Sequence, residues 1–116
     1  MITKTNYNDY IIEWETIKID ILCRTVLISN RRIESCPKEF DTLCLMARHP
    51  GWVFTKGQIY EAVYRNTLSV DIDNIIYCLI YGLRKKLEEN PKHPKYIRTV
   101  KGVGYKFVIS EEPFDF

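Results

Sequence analysis

The chain has 116 residues, 46% of them hydrophobic and 28% charged, which suits one domain built on a single core. No apolar run is long enough to span a bilayer, and the polar start M-I-T-K-T-N-Y-N-D lacks the apolar centre of a secretory signal, so a cytoplasmic location with no membrane partner is expected. The net charge of +2 is spread unevenly: residues 84–106 carry eight Lys/Arg against two Glu, whereas residues 1–83 come to −1 and residues 107–116 to −3. A basic segment on a near-neutral body is the footprint of a polyanion partner, although a solvated basic face has the same composition.

Residues 1–9 read as a linker or disordered start. Residues 10–34 then predict a small antiparallel sheet. Tyr10–Trp14, Thr16–Asp20 and Thr25–Ile28 are rich in β-branched and aromatic residues, Ser29-Asn30 suits a turn, and Arg31–Glu34 a short return strand. This part carries no chemistry and is expected to serve as a platform.

A first helix is predicted over Pro37–His49. Proline suits the first helical position, which leaves Cys36 as cap and Glu39 at the third position. Phe40, Leu43, Cys44 and Ala47 form its inward stripe, and His49-Pro50-Gly51 stops it. Trp52-Val53-Phe54 reads as an apolar link. A second helix follows, with Thr55 and Gln58 placed as a capping box and Ile59, Ala62 and Val63 as its buried face. Residues 65–69 form the loop to the longest element, a helix over 71–88.

In that helix Ile76, Ile80, Leu83 and Leu87 make one apolar stripe. Asp71 or Asp73 suits the start, and Arg84, Lys85 and Lys86 suit the negative pole of the helix dipole. Asn74, Tyr77, Cys78, Tyr81, Arg84 and Lys85 lie on the opposite face. A helix, a loop and a second, basic helix is the organisation of helix-turn-helix proteins, here with a longer loop than usual. A breaker-rich stretch, Asn90–Pro94, leads into two strands, Tyr96–Val100 and Tyr105–Ile109. Lys101-Gly102-Val103-Gly104 forms the hairpin tip between them, with both glycines permitting positive φ. Residues 110–116 form an acidic tail.

Catalysis finds no support. There is no paired-carboxylate site, no nucleophile beside a base and no glycine-rich phosphate loop, and the G-x-G at 102–104 reads as a turn. Cys23, Cys36, Cys44 and Cys78 are scattered without a C-x-x-C and read as reduced small hydrophobes rather than zinc ligands or disulfides. His49 reads as a helix-end residue. No metal or other cofactor is expected.

Four motifs carry a family resemblance: P-K-E-F-D-T-L at 37–43, H-P-G-W-V-F-T-K-G-Q-I at 49–59, L-R-K-K-L-E at 83–88 and Y-I-R-T-V-K-G-V-G-Y-K-F at 96–107. With the order sheet, helix, helix, basic helix, hairpin, the chain resembles the OmpR/PhoB-type winged-helix domain, the DNA-binding output half of two-component response regulators. The resemblance implies an α+β fold over residues 10–109: a winged helix-turn-helix with an N-terminal antiparallel β platform, three helices and a C-terminal β-hairpin wing. It also implies a transcriptional regulator that binds double-stranded DNA, with the long helix in the major groove and wing 101–104 at the minor groove.

Carried over by position, Lys101 matches the wing's basic residue, and Thr99 and Tyr105 match wing positions that touch the DNA backbone. Arg84 and Lys85 match the basic end of the recognition helix. Asn74, Tyr77, Cys78, Tyr81 and Gly82 match its reading face. Arg65, Asn66, Thr67, Leu68 and Ser69 match the loop that can face RNA polymerase. A receiver domain with its sensor kinase, and head-to-tail pairing on DNA, are further partners the family implies. The length of this chain leaves no room for a receiver domain, so the resemblance fits either an output half or a stand-alone regulator.

The departures lie on the long helix. The family favours polar or basic residues where this chain has Leu79, Tyr81 and Gly82, and a small residue such as Thr at Ile75. With no Arg, Asn or Gln between Asn74 and Arg84, direct readout would fall to tyrosine hydroxyls, apolar contact with thymine methyls and groove shape. Weak discrimination or an A/T-leaning site is expected. The alternative is a winged helix turned protein-interaction module, with an exposed patch at Ile75, Leu79 and Tyr81.

Overall fold

The computed structural model describes residues 10–65 and 71–109. The expected linker (1–9), the loop residues Asn66–Ser69 and the acidic tail (110–116) lie outside them. The chain divides into two units, residues 1–34 and 35–116.

The first unit is an antiparallel meander of β1 (Ile11–Trp14), β2 (Ile17–Asp20), β3 (Thr25–Ile28) and β4 (Arg31–Ile33), paired in that order. Ile12 lies opposite Ile19, Ile19 opposite Val26, and Val26 opposite Ile33, a row of β-branched side chains across the sheet. Ile12, Ile17, Ile19 and Val26 are buried while Glu13 and Lys18 are exposed, the period-2 pattern of a half-buried sheet. Ser29 and Asn30 both take positive φ, 49° and 67°, as a tight primed turn requires.

The second unit holds α1 (Pro37–Ala47), β5 (Val53–Thr55), α2 (Lys56–Tyr64), α3 (Ile72–Leu87), β6 (Ile97–Val100) and β7 (Gly104–Phe107). Its sheet runs β5-β7-β6, antiparallel throughout. Both helix starts follow the sequence. Glu39 Oε1 accepts from the Cys36 backbone N–H at 3.0 Å. Thr55 and Gln58 bond reciprocally, at 2.9 and 3.1 Å, a complete capping box. The apolar stripe of α3 is buried as expected at Ile76, Ile80, Leu83 and Leu87.

Several expectations are corrected. Trp52-Val53-Phe54 is no simple link: residues 53–55 form β5, opposite Lys106, Tyr105 and Gly104 of β7. α1 stops at Ala47, two residues early, where the His49 N–H turns back to the Met46 carbonyl. On α2 the buried residues are Ile59, Tyr60 and Val63, and Ala62 is exposed. At the wing only Gly102 has positive φ, at 79°. Gly104 opens β7 and is required by close approach: a Cβ there would lie 2.8 Å from the Phe54 carbonyl carbon and 2.9 Å from Thr55 Cα.

Candidate nucleic-acid interface

The interface is built on α3, and its rear face fixes its position. Leu79 is only 7% exposed and extends the stripe to five residues, because it lies one turn from Ile76 on the same side. It therefore belongs to the core and cannot form part of an exposed patch or a reading face. Gly82 is half-buried rather than outward, since a Cβ there would sit 2.6 Å from Glu39 Oε2. Glu39 is buried on α1 and bonds Lys86 Nζ at 2.7 Å, so one carboxylate joins the start of α1 to the end of α3.

The C-terminal turn of α3 holds the wing. β6 is an edge strand, so Ile97 has backbone groups facing away from β7. Arg84 donates to the Ile97 carbonyl through Nε at 3.1 Å and Nη2 at 2.9 Å. Glu88 Oε2 accepts from the Ile97 N–H at 2.8 Å. The same buried carboxylate accepts from Lys95 N at 2.7 Å and Tyr96 N at 2.9 Å. Two charged side chains of one helix turn thus satisfy an edge that another strand would otherwise pair.

The sequence reading missed Glu88, though a signal was present. A carboxylate at the negative end of a helix is unfavourable unless it has donors of its own. Here it has three backbone N–H groups.

The outward face of α3 presents Asn74, Tyr77, Cys78, Tyr81 and Lys85, all exposed. Cys78 Sγ lies 4.0 Å from Asn74 Oδ1. Tyr77 and Tyr81 stack, and Lys85 Nζ stands 5.5 Å from the Tyr81 ring centre. Lys101 is exposed at the wing tip. Thr99 is exposed too, and its hydroxyl accepts from Arg84 Nη2 at 2.9 Å.

Two expected contact residues have internal roles. Arg84 is half-buried and bonded to β6, with its guanidinium carbon 5.6 Å from the Tyr105 ring centre. Tyr105 is only 6% exposed, so its ring is a core element rather than a groove-facing one. In the loop expected to face RNA polymerase, Arg65 is exposed with φ 55° and its N–H bonds the Glu61 carbonyl. Its partners Asn66, Thr67, Leu68 and Ser69 lie outside the described residues.

Residues 30–107 match the family model described as "Transcriptional regulatory protein, C terminal". The chain is 40% identical over 96 residues to the uncharacterized transcriptional regulatory protein YcbL of Bacillus subtilis, covering 83% of this chain and 42% of that protein. It is 36% identical over 92 residues to the DNA-binding response regulator MtrA of Mycolicibacterium smegmatis, covering 78% of this chain and 39% of that one. The chain thus spans less than half the length of these curated relatives.

Among solved structures, the response regulator DrrB of Thermotoga maritima, an OmpR/PhoB homologue, superposes with a TM-score of 0.78 at 31% identity, covering 85% of this chain and 44% of that one. The RstA DNA-binding domain of Klebsiella pneumoniae, solved in complex with the RstA box, gives 0.76 at 28% identity, covering 84% and 96%. The α+β winged-helix fold, the strapped wing and these matches lead to one conclusion: the chain belongs to the family of OmpR/PhoB-type C-terminal DNA-binding domains of transcriptional regulatory proteins, the output half of two-component response regulators.

Proposed function

We propose that this chain regulates transcription by binding double-stranded DNA, with α3 in the major groove and the wing tip at the minor groove. The observation that carries this reading is the fixed relation of α3 to the hairpin. Arg84 and Glu88 hold β6 against the end of α3, so Lys85 on the helix and Lys101 on the tip are offered together. Two cations on one rigid frame suit two stretches of a phosphate backbone. The RstA neighbour, solved on its own DNA box, supports the same use of the fold.

The burial of Leu79 removes the main support for a protein-docking patch on α3, so the DNA reading stands ahead of it. The proposal extends to partners. A receiver domain answering to a sensor kinase would control the output, the loop at 65–69 would face RNA polymerase, and two copies would sit head to tail on repeated half-sites. The function belongs in the cytoplasm, and among the described residues no helix is long and apolar enough to cross a membrane.

Selection of bound duplexes from a randomised pool, at low and at physiological salt, tests the function. Recovery of a motif, above all a direct repeat, is expected. Failure to retain any duplex at low salt would refute the proposal and turn the search to a protein partner.

A further inference from the structure

Tyr77 and Tyr81 lie one turn apart on the outward face of α3 and are 61% and 54% exposed. Their rings stack with centroids 6.5 Å apart and planes inclined by 14°. Lys85, a turn further on, closes the series with its ammonium 5.5 Å from the Tyr81 ring. Side chains at i, i+4 and i+8 thus form a ladder of two rings and a cation.

The chemistry of the ladder limits what it can read. A phenol has no two-pronged donor or acceptor set, so it cannot make the paired contacts that arginine makes to guanine or asparagine to adenine. Its large surface is apolar, and in the major groove the thymine C5-methyl is the apolar group on offer.

We infer that Tyr77 and Tyr81 are the specificity-determining pair of this protein and that they read thymine methyl groups on nearby base pairs, with Lys85 on the flanking phosphate. This rests on the proposal that α3 enters the major groove, and it turns an A/T leaning into a defined contact.

The test uses duplexes recovered by selection, resynthesised with deoxyuridine in place of thymidine. That change removes the methyl and keeps every hydrogen-bonding group. Each lost methyl is expected to weaken binding about fourfold and two about fifteenfold, with the salt slope unchanged because no phosphate contact is altered. The Tyr77→Phe/Tyr81→Phe variant keeps the rings and should keep the discrimination. The Tyr77→Ala/Tyr81→Ala variant should bind both duplexes alike.

Equal affinity of the unaltered protein for the two duplexes would overturn the inference and leave DNA binding standing. So would discrimination that survives the alanine variant. Binding to neither duplex at low salt would overturn the proposed function and this inference with it.

Discussion

Arg84 and Ile97 form the joint between the recognition helix and the wing: two guanidinium nitrogens converge on one carbonyl oxygen, at 3.1 and 2.9 Å. The guanidinium fork makes this possible, and an ammonium on the same stem has no such fork. Arg84→Lys is therefore expected to lower stability by about 1–2 kcal/mol, measured by urea unfolding, although the charge is kept. Arg84→Ala should lower it as well, because the Ile97 carbonyl loses both donors. Stability unchanged in Arg84→Lys would show that the paired hydrogen bonds to the Ile97 carbonyl are not formed in solution.

Glu88 takes the other backbone group of Ile97 and two further N–H groups. Its removal leaves buried donors without an acceptor, which costs about 1–3 kcal/mol each where water cannot replace it. Glu88→Ala should destabilise the protein by about 2–4 kcal/mol, and Glu88→Gln, which keeps one acceptor oxygen, by less. Thermal unfolding of the two variants gives the order, and a Gln variant as unstable as the Ala variant would contradict it.

Gly82 and Glu39 compete for one space. Alanine is the better helix former by about 1 kcal/mol, yet its Cβ would meet Glu39 Oε2 at 2.6 Å. That carboxylate is not free to swing away, since Oε1 holds Cys36 N and Lys86 Nζ. Gly82→Ala is expected to destabilise the chain alone and to stabilise it in a Glu39→Ala background. A double-mutant cycle measures the coupling, and simple additivity would mean the carboxylate yields without cost.

The hydrogen bond to Glu39 raises the Lys86 pKa above its ordinary 10.5, outweighing the desolvation that lowers it. A raised folded-state pKa means that the contribution is complete below the unfolded value and fades as pH rises through the folded one. The stability gap between the unaltered protein and Lys86→Met should stay constant up to pH 10.5 and shrink above it. Urea midpoints across that range decide the matter, and a gap that persists at the alkaline end would refute it.

Gly104 and Gly102 separate two reasons for glycine in one hairpin. At Gly102, φ of 79° strains any side chain but no atom lies within 4 Å of a Cβ, so Gly102→Ala should cost about 1 kcal/mol. At Gly104 a Cβ meets backbone of β5, which can give way only by breaking the β5–β7 pairing, so Gly104→Ala should cost more. Equal losses at the two positions would argue that β5 is loosely held.

Periodicity made most of this fold legible. The helices, the capping boxes of α1 and α2, the meander and the hairpin follow from local pattern, whereas Asp71 at the start of α3 makes no side-chain cap bond. β5 was hidden because three residues show no alternation and their partner strand is about fifty positions away. Leu79 and Tyr105 were misplaced by matching them to family columns rather than to their own geometry. Leu79 is one turn from Ile76, and Tyr105 shares a strand face with buried Phe107. The internal bonds of Arg84 and Glu88 had no local signature, since polar contacts between a helix end and a distant edge strand depend on the finished fold.

The salt dependence of duplex binding bears most directly on the central claim. Association constants would be measured across salt concentrations for the unaltered protein and for Lys85→Ala and Lys101→Ala. The predicted result is a steep linear fall of log K with log salt, with each variant reducing the slope by about one unit. Binding indifferent to salt, or slopes that neither lysine alters, would contradict a helix and wing that hold DNA through its phosphates.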